Sequence, residues 1–280
     1  MSSESLPWEP RWPRTLAAAV CILAALTLLW PLLTGQTLFG GMRSDMFIAG
    51  YSFRLFGAEE FKATGAIPQW NPYLYGGLPY IAAMHGDIFY PTFLLRMVMP
   101  TDAAMTWGFA IHLFLAGLFA FLFLRASLDN DTPGRAAGFG FYACLIGGLA
   151  YMLGGQISSL VSPGHDGKLF VSALFPLGLW ALIRGIRDGR HWAWGAFALI
   201  VGMAVISPHP QLLQYMLLAS GAYSIFLVVR SVKSGRYASA VGMQRLAFAL
   251  GAVLLGAAIG AIQYLPVREY VPWSPRAGGL

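Results

Sequence analysis

Long apolar runs separated by short polar segments recur along nearly the whole chain. Seven of them are long enough, or nearly so, to cross a hydrocarbon core of about 30 Å. They cover residues 15–33, 103–124, 136–153, 169–183, 192–206, 212–229 and 246–264. The fourth and fifth runs are short, and we expect flanking Lys168, Arg184, Arg187 and His191 to reach the membrane surface and let each helix extend by a turn. The pattern predicts an all-α polytopic integral membrane protein with about seven transmembrane helices.

Composition excludes a soluble domain. The chain is 57% hydrophobic and 11% charged, with a mean hydropathy of +0.62, whereas soluble proteins have about 25% charged residues. Cys21 and Cys144 both fall inside predicted spans, so we interpret them as small core residues that form neither a disulfide framework nor a metal site.

The positive charges predict the orientation. A cytoplasmic N-terminus places eleven of the 18 basic residues on the inner side, where lysine and arginine concentrate. These are Arg11, Arg14, Arg125, Arg135, Arg184, Arg187, Arg190, Arg230, Lys233, Arg236 and Arg245. The long first loop and the C-terminal tail then face out. The net charge of +6 follows from this topology, and no nucleic-acid partner is expected. We interpret the first run as a retained anchor and the chain as the N-terminal part of a longer protein.

The first outer loop, residues 34–101, carries most of the candidate chemistry. Ser44 and Asp45 precede a stretch of aromatic and charged residues, including Arg54, that predicts a helix at the membrane surface. Asp45 has two interpretations. It caps that helix, or it acts as a general base toward a substrate hydroxyl at the membrane surface.

Further along this loop, prolines and a double glycine exclude a continuous helix over residues 68–80. Gln69, Trp70, Asn71 and Tyr73 in this segment suit the binding of a sugar or a lipid headgroup; the alternative is a rigid turn packed over the helix ends. His85 and Asp87 form a pair that can bind a divalent cation, relay a proton or hold a phosphate. Two ligands do not make a metal site, so no metal is predicted.

Two short loops on the same predicted face add polar clusters. His165, Asp166 and Lys168 join the third and fourth spans, and His209 and Gln211 join the fifth and sixth. Together with the first loop they predict an outward-facing pocket for an anionic headgroup. Lys168 either contacts a phosphate or only extends to the interface. His112 lies within the second span and is expected to face other helices.

Several of these motifs resemble those of the YfhO-type bacterial membrane proteins. They are Ser44–Asp45, Pro68–Gln69–Trp70–Asn71–Pro72–Tyr73, Gly76–Gly77–Leu78–Pro79, Asp87 with Phe89–Tyr90–Pro91, and Ser207–Pro208–His209–Pro210–Gln211. That family is similar in organisation to the GT-C glycosyltransferases, which use polyprenyl-phosphate sugars on the outer side of the membrane and carry a catalytic acid in the first loop. The resemblance implies that Asp45 is this acid. Other GT-C branches show two adjacent acids, whereas this chain has Ser44–Asp45–Met46, so no metal-assisted variant is implied.

These observations lead to one hypothesis and two alternatives. The hypothesis is a glycosyltransferase of the bacterial cytoplasmic membrane that moves a sugar from a polyprenyl-phosphate donor to a glycan or cell-wall acceptor, without a cofactor. Asp45 is the catalytic residue. The substrate-binding residues are Arg54, Gln69, Trp70, Asn71, Tyr73, His85, Asp87, His165, Asp166, Lys168, His209 and Gln211. The alternatives are a transporter or flippase of lipid-linked sugars and a non-catalytic membrane scaffold.

Overall fold

The computed structural model describes residues 12–35, 44–74, 76–128 and 137–274, together with Pro10 and Ala277. The helices are α1 (Pro13–Leu33), α2 (Tyr51–Thr64), α3 (Phe93–Val98), α4 (Thr101–Leu128), α5 (Ala137–Leu153), α6 (Gly155–Ser158), α7 (Asp166–Leu182), α8 (Trp192–Ile206), α9 (Pro210–Lys233), α10 (Ser239–Ile259) and α11 (Ala261–Tyr270). Single π-helical turns cover Met46–Gly50 and Ile183–Arg187, and 3₁₀ turns cover Ser159–Val161 and Val271–Trp273. The prediction of an all-α membrane protein is confirmed.

Six helical segments in the described part of the chain are long and apolar enough to cross a membrane. They are Pro13–Leu33, Thr101–Leu128, Gly140–Val161, Asp166–Arg187, Pro210–Lys233 and Ser239–Ile259. The fourth predicted span gains its extra turns, because a π-helical turn continues α7 to Arg187. The fifth does not. Helix α8 keeps 15 residues and is about 22 Å long.

The last predicted span differs most from the observed helix. The apolar pattern predicts residues 246–264, whereas α10 runs from Ser239 to Ile259 and ends at Gly260. Its polar first turns are held by Arg245, whose guanidinium donates to the carbonyl of Ile186 at 2.6 Å and lies 4.3 Å from the ring centre of Tyr237. Ala136, Arg11, Arg135 and the predicted outer tail after Ser274, except Ala277, lie outside the described residues.

Helix α7 lies at the centre of the bundle. It belongs to both large hydrophobic cores, one shared with α8, α9 and α10 and the other with α1, α4 and α5. Small residues permit close helix contacts, as in many membrane bundles. A Cβ on Gly148 of α5 would lie 2.7 Å from the carbonyl oxygen of Gly117 in α4, and one on Gly256 of α10 would lie 2.7 Å from that of Ala198 in α8. The outward faces of α9 and α10 leave large apolar side chains exposed, among them Leu218, Ile225, Leu250 and Leu254.

The first loop folds into a small unit with its own core. Strands β1 (Trp70–Asn71) and β2 (Leu78–Pro79) pair antiparallel, with Trp70 opposite Pro79, so the predicted absence of a continuous helix over residues 68–80 is confirmed for the residues described there. Five buried residues form the core of this unit, namely Phe53, Leu78, Tyr80, Ile88 and Phe93. The hydroxyl of Tyr80 donates to the carbonyl of Phe53 at 3.1 Å and ties the hairpin to α2.

The bundle has two chemically different ends. At the first, which we call the loop end, the first-loop unit meets the connections that precede α7 and α9. The amide of Gln263 in α11 also donates to Ile81 there at 2.7 Å. At the second, the arginine end, the guanidinium of Arg187 donates to the carbonyl of Ala126 at 2.6 Å and joins the ends of α7 and α4.

Candidate functional site

Three loops that are distant in sequence are hydrogen-bonded together at the loop end. The backbone N–H of Asp45 donates to the carbonyl of Pro163 at 3.1 Å, and the Ser44 hydroxyl donates to the same oxygen at 3.2 Å. The hydroxyl of Ser207, before α9, donates to the carbonyl of Gly167 at 3.0 Å. These contacts fix the loops that carry the predicted site residues.

Gly164 allows the first two of these loops to approach. Its φ of +77° is in the left-handed region, which residues with a Cβ rarely adopt. A Cβ at this position would lie 2.4 Å from Cβ of Met46 and 2.9 Å from Oγ of Ser44. Both the backbone conformation and the available space therefore require glycine immediately before His165.

Asp45, His165 and Lys168 form a hydrogen-bonded chain, which we call the Asp45–His165–Lys168 chain. Oδ2 of Asp45 lies 2.8 Å from Nε2 of His165, and Nδ1 of His165 lies 3.1 Å from Nζ of Lys168. A charged ammonium group can only donate, so Nδ1 accepts and Nε2 carries the proton that is donated to the carboxylate. The side chain of Asp45 is 69% exposed and that of His165 is 28% exposed. The carboxylate is thus oriented by His165 and remains open to solvent.

The Asp45–His165–Lys168 chain is linked through Asp166, the residue after His165, to a buried ion-pair network. The members of this network are Arg54, Asp87, Arg96 and Asp166. Nε of Arg54 lies 2.9 Å from Oδ1 of Asp87, and its Nη2 pairs with Asp166, the residue after His165. Arg96 approaches the same Oδ1 of Asp87 at 2.8 Å, and the Thr92 hydroxyl donates to Oδ2 at 2.9 Å. Two guanidinium groups and two carboxylates balance in charge, as buried ions must.

Asp87 is the centre of this network. Burial opposes its ionisation, but the charges of Arg54 and Arg96 outweigh burial and hold the pKa of this carboxyl below its ordinary value. The residue has a φ of +40°, a strained conformation for a residue other than glycine. The ion pairs therefore stabilise both the charge and the backbone conformation of Asp87.

His209 lies beside the Asp45–His165–Lys168 chain. Its Nδ1 accepts a hydrogen bond from the backbone N–H of Leu212 at 3.3 Å and caps α9. Burial, followed by the positive charge of the nearby Lys168, lowers the pKa of His209. The imidazole is therefore neutral at pH 7, and its Nε2–H is available as a donor. Gln211, the second residue of α9, donates from Nε2 to the hydroxyl of Tyr215 at 2.9 Å.

The predicted residues of the hairpin form a separate group. Asn71 is buried, and its Oδ1 accepts from the N–H of Tyr73 at 3.0 Å. Tyr73 is exposed and contacts Phe56 of α2 edge-on, with ring centres 5.7 Å apart. The Gln69 side chain donates to the carbonyl of Ile67 at 3.1 Å, and the half-exposed Trp70 packs on Gly77. These contacts hold the hairpin together and against α2.

His85 and Asp87, close in sequence, face different surroundings. His85 is exposed, and its ring centre lies 5.1 Å from that of Phe53, whereas both oxygens of Asp87 are used inside the ion-pair network. Among the residues that the structure describes, no three His, Cys, Asp or Glu side chains form a possible metal-binding group.

Asp45 does begin the surface helical segment, as one interpretation expected, but its side chain makes no capping hydrogen bond. The Ser44 hydroxyl instead accepts from the N–H of Met46 at 3.3 Å. Because the Asp45 carboxylate is engaged by His165 and not by a helix terminus, capping does not account for its position.

His112 faces the bundle interior, as predicted, but its side-chain partner comes from the first loop. Nδ1 donates to the carbonyl of Gly108 at 2.8 Å, so Nε2 accepts from the Tyr90 hydroxyl at 2.9 Å. The rings of Tyr90 and His112 both pack on Phe170 of α7, with centre distances of 4.4 and 4.0 Å. The first loop is thereby anchored to α4 and α7 below the site.

Sequence alone did not predict that this region includes Arg96, Thr92 and Tyr90. The only sequence signal for Arg96 is its isolation within the apolar run Phe93–Val98. A lone arginine there requires a buried carboxylate, but sequence does not say which one.

No family model matches this chain, nor does any curated protein or solved structure.

Proposed function

We propose that this protein is a membrane glycosyltransferase that moves a sugar from a polyprenyl-phosphate donor to an acceptor hydroxyl outside the cytoplasm, with Asp45 as the general base. The observation that carries the proposal is the exposed Asp45 carboxylate, held 2.8 Å from His165 at one end of an apolar helix bundle. The resemblance of the sequence motifs to those of the YfhO-type proteins is the second basis of the proposal.

In the proposed reaction the acceptor oxygen attacks the anomeric carbon of the donor sugar. The bond from that carbon to the phosphate oxygen breaks, the acceptor proton passes to Asp45, and the polyprenyl phosphate leaves. A carboxylate suits this role because it accepts the proton as the acceptor oxygen becomes positively charged. His165 orients the Asp45 carboxylate by donating to its Oδ2.

The leaving phosphate requires donors and positive charge. Lys168, at the other end of the Asp45–His165–Lys168 chain, supplies an ammonium group. His209 supplies its neutral Nε2–H. Lys168 lies near enough to His209, the residue before α9, for its charge to lower the pKa of that histidine.

A shallow, open apolar groove along one face of α9 gives the lipid chain a place in this proposal. The groove has a volume of about 410 Å³ and is lined by Pro210, Leu213, Gln214, Leu217, Leu218 and Gly221. It begins one residue after His209 and continues along the spanning helix. A donor bound with its phosphate at Lys168 and His209 can lay its prenyl chain along this groove, which is lined almost wholly by apolar surface.

The proposal is tested by transfer assays with the purified full-length protein and a panel of undecaprenyl-phosphate-linked labelled hexoses, using cell-envelope glycans as acceptors. We expect wild-type transfer to fall at least about 100-fold in Asp45→Asn, the lower range for loss of a general base. Glu59→Gln, an exposed acid on α2, is the matched control and should retain the wild-type rate. Donor binding without transfer in every variant would refute the enzyme assignment and favour a flippase.

A further inference from the structure

A small cavity opens at the arginine end between α1, α4 and the end of α7. Its volume is about 170 Å³, and its lining is Pro13, Arg14, Leu122, Arg125, Trp180 and Arg184. Each of the three segments contributes one arginine. The cavity lies at the opposite end of the bundle from Asp45 and has no part in the proposed sugar transfer.

The lining is suited to a phosphate group. Arginine guanidinium groups bind phosphate oxygens with two parallel N–H donors, which makes them the preferred partners of such anions. Asp188 pairs with Arg184 at 2.9 Å but is shared with Arg187 at 2.7 Å. One carboxylate is thus divided between two guanidinium groups, and Arg14 and Arg125 add further positive charge to the cavity.

Aromatic residues place this cavity at the level of the lipid headgroups. The Trp180 ring lies 5.8 Å from the guanidinium carbon of Arg184 and 5.4 Å from the ring of Trp192. Tryptophan concentrates at the boundary between membrane and water. Trp12 and Leu16, next to the lining residues of α1, are exposed and offer apolar contact to acyl chains.

We propose that this cavity binds the phosphate group of an anionic phospholipid. Basic pockets between transmembrane helices bind such headgroups in other proteins. The cavity volume of about 170 Å³ is several times what one water molecule needs, which is room for one phosphate group. The same chemistry accepts free phosphate, but the apolar neighbours Leu122, Trp12 and Leu16 favour a phosphate attached to acyl chains.

Native mass spectrometry of the full-length protein in detergent tests this site. Dioleoyl-phosphatidylglycerol, dioleoyl-phosphatidylcholine and inorganic phosphate are titrated separately. We expect phosphatidylglycerol to bind at least about tenfold more tightly than phosphatidylcholine. Arg14→Gln and Arg125→Gln should each weaken phosphatidylglycerol binding about tenfold, the effect of losing one charge-assisted hydrogen bond. Arg190→Gln, an exposed arginine at the same end that does not line the cavity, should leave binding within about twofold of wild type.

Arg14 is exposed, so Arg14→Gln keeps the test valid if Arg125→Gln fails to fold. Equal phosphatidylglycerol binding by Arg14→Gln and Arg190→Gln would overturn the site. If inorganic phosphate alone binds in the wild type and is lost in Arg14→Gln, while phosphatidylglycerol shows no preference over phosphatidylcholine, the lipid assignment is overturned and the ligand is free phosphate.

Discussion

His165 lies 2.8 Å from Asp45 although 120 residues separate them in the sequence. The contact joins the loop after the first span to the loop before the fourth. It explains how a carboxylate can remain largely exposed and still have a fixed orientation.

His165→Ala should lower the transfer rate about tenfold while leaving the protein folded. The carboxylate remains in place but loses the donor that orients it, which is a smaller loss than removal of the carboxylate itself. Initial rates at saturating donor give the comparison, with size-exclusion profiles as the check on folding. His191→Ala, an exposed histidine next to α8, is the control. A rate for His165→Ala equal to that of His191→Ala would contradict an orienting role.

Arg54→Met should destabilise the protein by about 3–5 kcal/mol, because it leaves Asp87 and Asp166 buried without their shared guanidinium. Thermal unfolding in detergent measures the loss. Lys62→Met changes an exposed cation on the same helix and should stay within about 0.5 kcal/mol of wild type. Similar unfolding temperatures for the two variants would show that the network contributes little to stability.

Lowering the pH below about 4 should destabilise the folded protein, because Asp87 becomes protonated. Its pKa is lower in the folded protein than the ordinary value of 3.8, so folding favours the ionised form. The resulting stability is fully present above about pH 4 and is lost as the pH falls through the lower, folded-state pKa. Asp87→Asn should unfold at a lower temperature at pH 7 and show a weaker dependence on pH below 4. Parallel pH profiles for the two proteins would be the contrary result.

Gly164→Ala should disturb the site and the fold together. The left-handed conformation costs a residue with a Cβ about 1–2 kcal/mol, and the added carbon meets Met46. Gly155→Ala is the matched control, because a Cβ there has open space and no positive φ. Thermal unfolding and transfer rates of the two variants check this prediction. We expect losses in both for Gly164→Ala and near wild-type values for Gly155→Ala.

Tyr90→Phe should cost about 1–3 kcal/mol of stability, because Nε2 of His112 then has no donor in a buried position. The double variant Tyr90→Phe/His112→Phe should recover part of that loss, since it removes the unsatisfied nitrogen as well. Comparison of the unfolding temperatures of the single and double variants isolates the hydrogen bond. No recovery in the double variant would indicate that ring packing on Phe170 dominates.

The apolar runs predicted most of the spanning helices well, because these helices are apolar over most of their length. They were less accurate for α10, where Arg245 lies inside the helix and bonds to the carbonyl of Ile186. The bounds of α8 match the fifth run, but the expected extra turn is absent. These helix ends depend on tertiary contacts that a local pattern does not contain.

The candidate site was also only partly predictable from the sequence, because some of its contacts are tertiary. Topology placed Asp45, His165, Lys168 and His209 at one end of the bundle, and the structure brings them together there. It did not predict that Arg54 and Asp87 would be buried partners, nor that Arg96 would complete their network. Pairing between buried ions is decided by three-dimensional proximity, and the sequence does not tell which of the 12 acidic residues pairs with a given arginine.

The ion pair between Arg54 and Asp166 also sets an order of assembly during synthesis. The two residues are 112 positions apart, so at about 5–20 residues per second the ribosome makes Arg54 roughly 6–22 s before Asp166. During this interval two further helices must be inserted, and only one of the two final carboxylate partners of Arg54, Asp87, has been made. The first loop therefore reaches its final charge balance only after the start of α7 has been synthesised. The contact between Asp45 and His165 forms at the same late stage.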